Sequence, residues 1–249
     1  MAATGAAANH DEVVAALRAI GDPRRGEAIR RDRGSQLQYL GIGVPALRAR
    51  VRQGVSFSAL PAAQLLELVD ELWRTSPYGD VLFAALETLA PIVRKEVAPG
   101  VWPVVRHWHE RIDNWCHSDV LAGVYSRVLE ARFDEVYPQL EAWNRSPGEW
   151  PRRLSLTSLI HYTGQNAVFL PPERMLPLLS ACVDDHRKFV ALALGWVLRE
   201  LGRKHPGVAA QFLAQHAARM SAPAFARAIE RHRPEERMRL SKHRQSRSA

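Results

Sequence analysis

Apolar residues recur along this chain at the spacing of helix faces, and hardly anywhere at the spacing of strands. In Leu65–Trp73 the positions Leu65, Leu66, Val69, Leu72 and Trp73 form one stripe. Val81–Val93 repeats the pattern through Leu82, Ala85, Leu86, Leu89 and Val93. Further stripes run through 120–129, 154–160, 189–201 and 208–216. A repeat of three and four residues places these side chains on one side of an α-helix and leaves a polar side outside. No convincing run alternates apolar with polar residues, as a half-buried strand requires.

Proline and glycine punctuate these stripes at short intervals. Gly41–Pro45 precedes a helix expected to begin near Ala46. Thr75–Gly79 separates two helices, and Ala98-Pro99-Gly100 interrupts another. Asn144–Gly148 closes a helix, and Pro151 suits the first turn of the next, where its missing N–H costs nothing. Leu170-Pro171-Pro172 and His205-Pro206-Gly207 repeat the device. The expected architecture is all-α, with about a dozen short helices on connections of a few residues. Helical pairs recurring every 35–45 residues or so fit degenerate HEAT-type units, which stack into a superhelical solenoid with a concave groove. A non-repetitive helical bundle has the same composition.

The chain divides on this reading into a frayed, disordered leader over residues 1–9, one domain over 10–234 and a basic, disordered tail over 235–249. The tail offers non-specific phosphate contacts. Cys116 and Cys182 form neither a CxxC nor a CxxH cluster. A disulfide framework and a zinc site are therefore not expected, and a reducing cytosol is the expected compartment. No run approaches the roughly 18 apolar residues that span a bilayer. Lys and Arg number 34 against 26 for Asp and Glu, a formal charge of +8. Arginine dominates, and its planar fork suits phosphate. A solvated basic surface has the same charge.

Walker A, GxSxG, HExxH and strand-linked GxGxxG motifs are all missing from the sequence. His107 and His109, two residues apart, do not share a helix face. An enzyme built on this chain is expected to need no metal and no cofactor. Trp115 and Asp119, one helical turn apart, share a face if their segment is helical. A carboxylate beside an aromatic ring on a basic protein suits a cation carried on a polyanion, and alkylated DNA is such a ligand. An ordinary helix-face carboxylate paired with arginine, and a core tryptophan, have the same local sequence.

Four segments carry a family resemblance. Leu40-Gly41-Ile42, with Pro45 and Arg48, resembles an "LGI-x-x-P-x-x-R" signature. Glu71-Leu72-Trp73 resembles an "ELW" helix, and Asn114-Trp115 with Asp119 resembles a "W-x-x-x-D" site. Phe189-Val190 and Gly195–Glu200 resemble "FV…GW-x-LRE". Their order and spacing are similar to those of the HEAT-like-repeat DNA alkylation repair glycosylases of AlkD type. That family is an all-helical solenoid cradling duplex DNA in a basic concave groove. The resemblance implies a monofunctional glycosylase that releases N3- and N7-alkylated purines from duplex DNA, without flipping the base and without a cofactor.

Carried onto this chain, the family's essential aspartate falls on Asp119 and the aromatic beside the lesioned deoxyribose on Trp115. Trp196 matches a second aromatic at the DNA backbone, and burial between solenoid helices is its other reading. Arg153, three residues after Trp150, takes a phosphate-binding position, and Arg152 could share that task. Arg199 matches the final family arginine, and Tyr39 is assigned to the groove wall. Cys116 stands where relatives often carry an acid, and Leu192 where a lysine is common. His117, beside the site, is expected to titrate near neutral pH. The expected partner is alkylated double-stranded DNA, bound by a monomer with no membrane involved. A non-catalytic binder of bent, branched or damaged DNA and a protein-binding scaffold are the competing functions.

Overall fold

The computed structural model describes residues 2–54, 60–161 and 166–248. Among them are fourteen α-helices and no strand beyond two isolated bridges, Gln38 with Tyr78 and Ile160 with Val168. The all-α class read from the periodicity is the one observed. The chain forms two compact units, 1–124 and 125–249.

The first unit holds α1 (Ala2–Arg18), α2 (Pro23–Arg33), α3 (Val44–Gln53), α4 (Ala62–Thr75), α5 (Gly79–Lys95) and α6 (Val101–Val105). A 3-10 turn over Trp108–Arg111 leads into α7 (Trp115–Ala131), whose first ten residues belong to this unit. Helix α5 is its centre. Every residue from Gly79 to Leu86 is buried, as are Leu89 and Val93, and α1, α3 and α4 pack against it. Helix α4 buries Leu65, Leu68, Val69, Leu72 and Trp73. Leu68 takes the inward place expected of Leu66, which is half-buried.

The ends of these helices follow from their sequence. Asp22 caps α2 by accepting a hydrogen bond from Arg24 N at 3.0 Å. Gly34 closes α2 at φ 62°. In the expected turn before α3, Gly41 has φ 84°, and a Cβ there would lie 1.8 Å from the Asp22 carbonyl oxygen. Only glycine permits both that dihedral and that approach.

The second unit continues with α8 (Phe133–Asn144), α9 (Glu149–Thr157), α10 (Pro172–Ser180) and α11 (Lys188–Lys204). Then come α12 (Pro206–His216), α13 (Ala222–Ala228) and α14 (Pro234–Ser248). Helix α11 is the core of this unit and packs against α9, α12 and α13. Pro172 and Pro206 open α10 and α12, as their positions in the sequence imply.

Both ends of the described chain are helical. Helix α1 begins at Ala2, in keeping with the high helix propensity of its alanines. The tail forms α14, tied to the loop after α12 by Arg244, whose Nε and Nη2 donate to the carbonyls of Ala217 and Met220 at 3.0 and 2.8 Å. The same guanidinium lies over the Phe225 ring at 5.0 Å. A basic tail has few ways to bury its charge, and here one arginine does so on helix-end carbonyls.

Candidate functional site

In the first unit the site forms around the start of α7. Asn114 is its cap: Oδ1 accepts from His117 N at 3.1 Å. The two N–H groups of the Asn114 amide are shared among Asp113 Oδ1 at 2.8 Å, His117 Nδ1 at 2.9 Å and the Tyr39 hydroxyl at 3.3 Å. Asp113 Oδ2 in turn accepts from Ser35 Oγ at 2.8 Å and Gln36 N at 2.7 Å. The helix start is thereby fastened to the loop after α2.

Arg111 secures the other side. Nη1 donates to the Trp73 carbonyl and Nη2 to that of Ser76, filling acceptors that the end of α4 leaves open. Beneath it the Trp73 and Trp108 rings stack at 4.8 Å. The Trp108 indole N–H donates to Asp70 Oδ1 at 2.8 Å. An immobile helix start holds any side chain on its outer face in a defined place.

That outer face carries Trp115 and Asp119. Cys116, His117 and Ser118 turn inward and are buried, while Trp115 is 38% exposed and Asp119 half-buried. Trp115 is one of only three large apolar side chains left exposed among the described residues. The indole and the carboxylate lie one turn apart on one face, as their spacing implies.

His117 differs from its expectation. Nε2 donates to Gly79 O at 2.9 Å while Nδ1 accepts from Asn114, so the ring is held as one neutral tautomer. Burial, aided by Arg33, pushes its pKa down to about 4. Burial pushes the Cys116 thiol up to about 11, against the pull of Arg33 and Arg48 and with Asp119 and Glu87 raising it further. Arg48 is paired with Glu87 at 2.8 Å. Sequence reasoning left Arg33 and Arg48 out of the site, although Arg48 ends the first quoted signature.

Tyr39, expected on a groove wall, is buried. Its hydroxyl donates to Ser35 Oγ at 3.2 Å, and the Arg33 guanidinium covers its ring at 4.8 Å. Its work is internal, bracing the Asn114 cap.

The remaining candidates lie in the second unit, and most are engaged with protein. Arg153 is 5% exposed, and its Nη1 donates to the Phe189 carbonyl at 2.7 Å, joining α9 to the start of α11. The phosphate-binding position that the resemblance gives Arg153 is therefore a buried one. Trp150 stacks on the Phe189 ring at 4.9 Å at the same junction. Arg152 pairs with Asp185 at 3.1 Å and donates to Ala181 O at 2.6 Å. Arg199 pairs with Glu200 at 2.9 Å and with Glu230 at 2.7 Å. Trp196 is half-buried, next to Gly195 at the crossing of α11 and α13. Carboxylates and helix-end carbonyls within the unit take these guanidinium groups because a half-buried cation needs a partner.

Among the described residues no group of three His, Cys, Asp or Glu side chains is placed to hold a metal ion. No described helix is long and apolar enough to cross a membrane.

Residues 13–231 match the family described as DNA alkylation repair enzyme. Among solved structures, a predicted DNA alkylation repair enzyme from Enterococcus faecalis aligns with a TM-score of 0.69 at 14% identity, over 86% of this chain and 97% of its own. AlkD2 from Streptococcus mutans aligns with a TM-score of 0.53 at 14% identity, over 76% and 88%. Both share the all-helical fold. No curated protein matches the sequence.

Proposed function

This chain belongs to the DNA alkylation repair enzyme family, and on that premise we propose that it is a DNA glycosylase for N3- and N7-alkylated purines in duplex DNA. Alkylation at either nitrogen gives the purine a positive charge, so the base leaves as a neutral molecule without an acid to protonate it. The C1′–N bond breaks with its electron pair going to the base. The sugar becomes oxocarbenium-like, and water adds at C1′ with loss of a proton. A carboxylate beside C1′ opposes the growing charge and accepts that proton. Asp119 has this role in the proposal.

Trp115 supplies an electron-rich face for the cationic nucleotide. Arg152 and Arg199 add positive charge to the DNA surface through the parts of their side chains left exposed, and Trp196 contacts the strand. Arg153 contributes by holding α9 against α11. The partner is alkylated duplex DNA, handled by a monomer without base flipping, as the family resemblance implies.

The observation that carries this reading is the orientation of α7. Trp115 and Asp119 stay accessible on a helix start locked by Asn114, while the three residues between them are buried. The test is release of 7-methylguanine from methylated duplex DNA, with heat cleavage of the abasic sites. Release by the wild type that disappears in Asp119→Asn supports the proposal; equal release by that variant removes Asp119 from the chemistry.

One observation favours a second reading, a binder of damaged or bent DNA without excision. A buried, protonated thiol at Cys116 occupies the position where the family resemblance implies an acid. Tight binding to alkylated or branched duplex with no base release by the wild type would establish it.

A further inference from the structure

Within the second unit, α11, α12 and α14 enclose a cavity of about 240 Å³ whose wall includes Arg199, Arg203, Arg231 and Arg239. Glu236 is the one acid in that wall. Just behind it, Glu200 has a side chain only 6% exposed and serves three guanidinium groups. Arg199 and Arg203 each lie 2.9 Å from it, and Arg231 3.8 Å. Glu230 is likewise divided between Arg199 at 2.7 Å and Arg227 at 3.2 Å.

A carboxylate carries one charge however many cations it touches. Arginines crowded on two shared carboxylates keep an excess of positive charge, and the half-enclosed space beside them screens it less than open water does. That arrangement attracts an anion. The cavity is smaller than the roughly 300–1,000 Å³ typical of sites for larger organic ligands, and its size suits a single tetrahedral oxyanion with water. Guanidinium groups recognise such an oxyanion through paired N–H donors.

We propose that this cavity is a phosphate-binding site, filled by a backbone phosphate of bound DNA. The identity of the phosphate's owner rests on the DNA-repair reading; the site itself rests on the arginine cluster. Arg239 is exposed and lies outside the Glu200 network, so its replacement leaves that network intact.

The experiment uses the full chain, with inorganic phosphate as the first probe. At constant ionic strength, balanced with chloride, phosphate should raise the wild-type melting temperature along a saturable curve. Arg239→Glu should retain only the general salting effect that any excluded anion produces. Arg203→Ala should behave likewise. The second arm is affinity for undamaged duplex. Arg239→Glu should weaken it by about tenfold at low salt and make the slope of log K against log salt shallower by about one.

An equal phosphate response in wild type and both variants overturns the site. A response lost in the variants, with duplex affinity and slope unchanged, overturns the assignment to DNA and points to free phosphate. A wild type that satisfies both arms yet releases no base sinks the glycosylase reading and leaves this one standing.

Discussion

His117 Nε2 donates to the backbone carbonyl of Gly79 at 2.9 Å, from a ring closed off from water. The bond joins the start of α7 to the start of α5. Burial sets the proton affinity, with Arg33 and Arg111 also lowering it and the Gly79 bond and Asp113 opposing them. A fall from 6.5 to about 4 means that between those values the unfolded chain binds a proton the folded chain refuses. Stability on this group's account is level above about pH 7, declines as pH drops from 6.5 towards 4, and is level again below. The full decline is on the order of 3 kcal/mol. Urea unfolding across this range should show the slope in the wild type and a flatter one in His117→Gln. An imidazole signal for His117 that moves with a midpoint near 6.5 would contradict the assignment.

Asp119→Asn keeps the shape of the outer face of α7 and removes its charge. If the carboxylate opposes charge on the sugar, release of 7-methylguanine should fall by at least about 10²–10³-fold, the scale of losing a well-placed electrostatic partner. Affinity for alkylated duplex should stay within about threefold, since every other proposed DNA contact is untouched. Single-turnover release measured beside equilibrium binding separates the two quantities. A parallel loss of both would make Asp119 a binding residue.

Trp115→Ala tests the neighbouring side chain. A residue 38% exposed at a helix start contributes little to folding, so the change in unfolding free energy should stay near 0.5 kcal/mol. Release of base should nevertheless fall, because the lost indole face is the proposed seat of the cationic nucleotide. Denaturant unfolding and base release measured on the same preparation decide the matter, and a variant of unchanged activity would assign the exposed indole no part in catalysis.

Local features of this fold were legible in the sequence, and distant partnerships were not. The i, i+4 spacing of Trp115 and Asp119 placed both on one face of α7, and the breaks at Thr75–Gly79, Pro171-Pro172 and Pro206 fell at real helix boundaries. These are matters of a few neighbouring residues and of dihedrals that proline and glycine dictate. The burial of Arg153 was illegible, because its partner is a main-chain carbonyl 36 residues away. Arg33 and Arg48 escaped for a like reason: Arg33 lies over the Tyr39 ring and Arg48 pairs with Glu87, 39 residues away. His117 sits beside an exposed tryptophan in sequence, yet the turn of the helix carries it into the interior.

Burial should also silence both cysteines. Cys116 is pushed up to about 11, and burial raises Cys182 as well, although Arg152 and Asn144 act to lower it. The thiolate is the reactive form, and it is scarce at pH 8 in either residue. Iodoacetamide should therefore leave the native protein almost unmodified and label both positions in denaturant. Cys116→Ala should retain base release, since no step of the proposed chemistry uses the thiol. Rapid native labelling at Cys116 would show that the start of α7 opens.

Gly195 sits where α11 crosses α13 with almost no space between them. A Cβ at this position would lie 2.4 Å from the Ala224 carbonyl oxygen and 2.6 Å from Arg227 Cβ. The first of these is backbone, so the contact is relieved only by moving the helices apart. Gly195→Ala should gain a little helix propensity and lose more to that displacement, for a net destabilisation of about 1–3 kcal/mol. Trp196 follows directly on α11, and Arg199 one turn later meets Glu230 just beyond α13, so their positions depend on the same crossing. The variant should therefore lose duplex affinity along with stability, even though glycine itself offers DNA no side chain. Melting temperature and duplex affinity, each compared with wild type, check the two halves. Unchanged stability would mean that the crossing relaxes without cost and that the Gly-Trp pair is not set by helix packing.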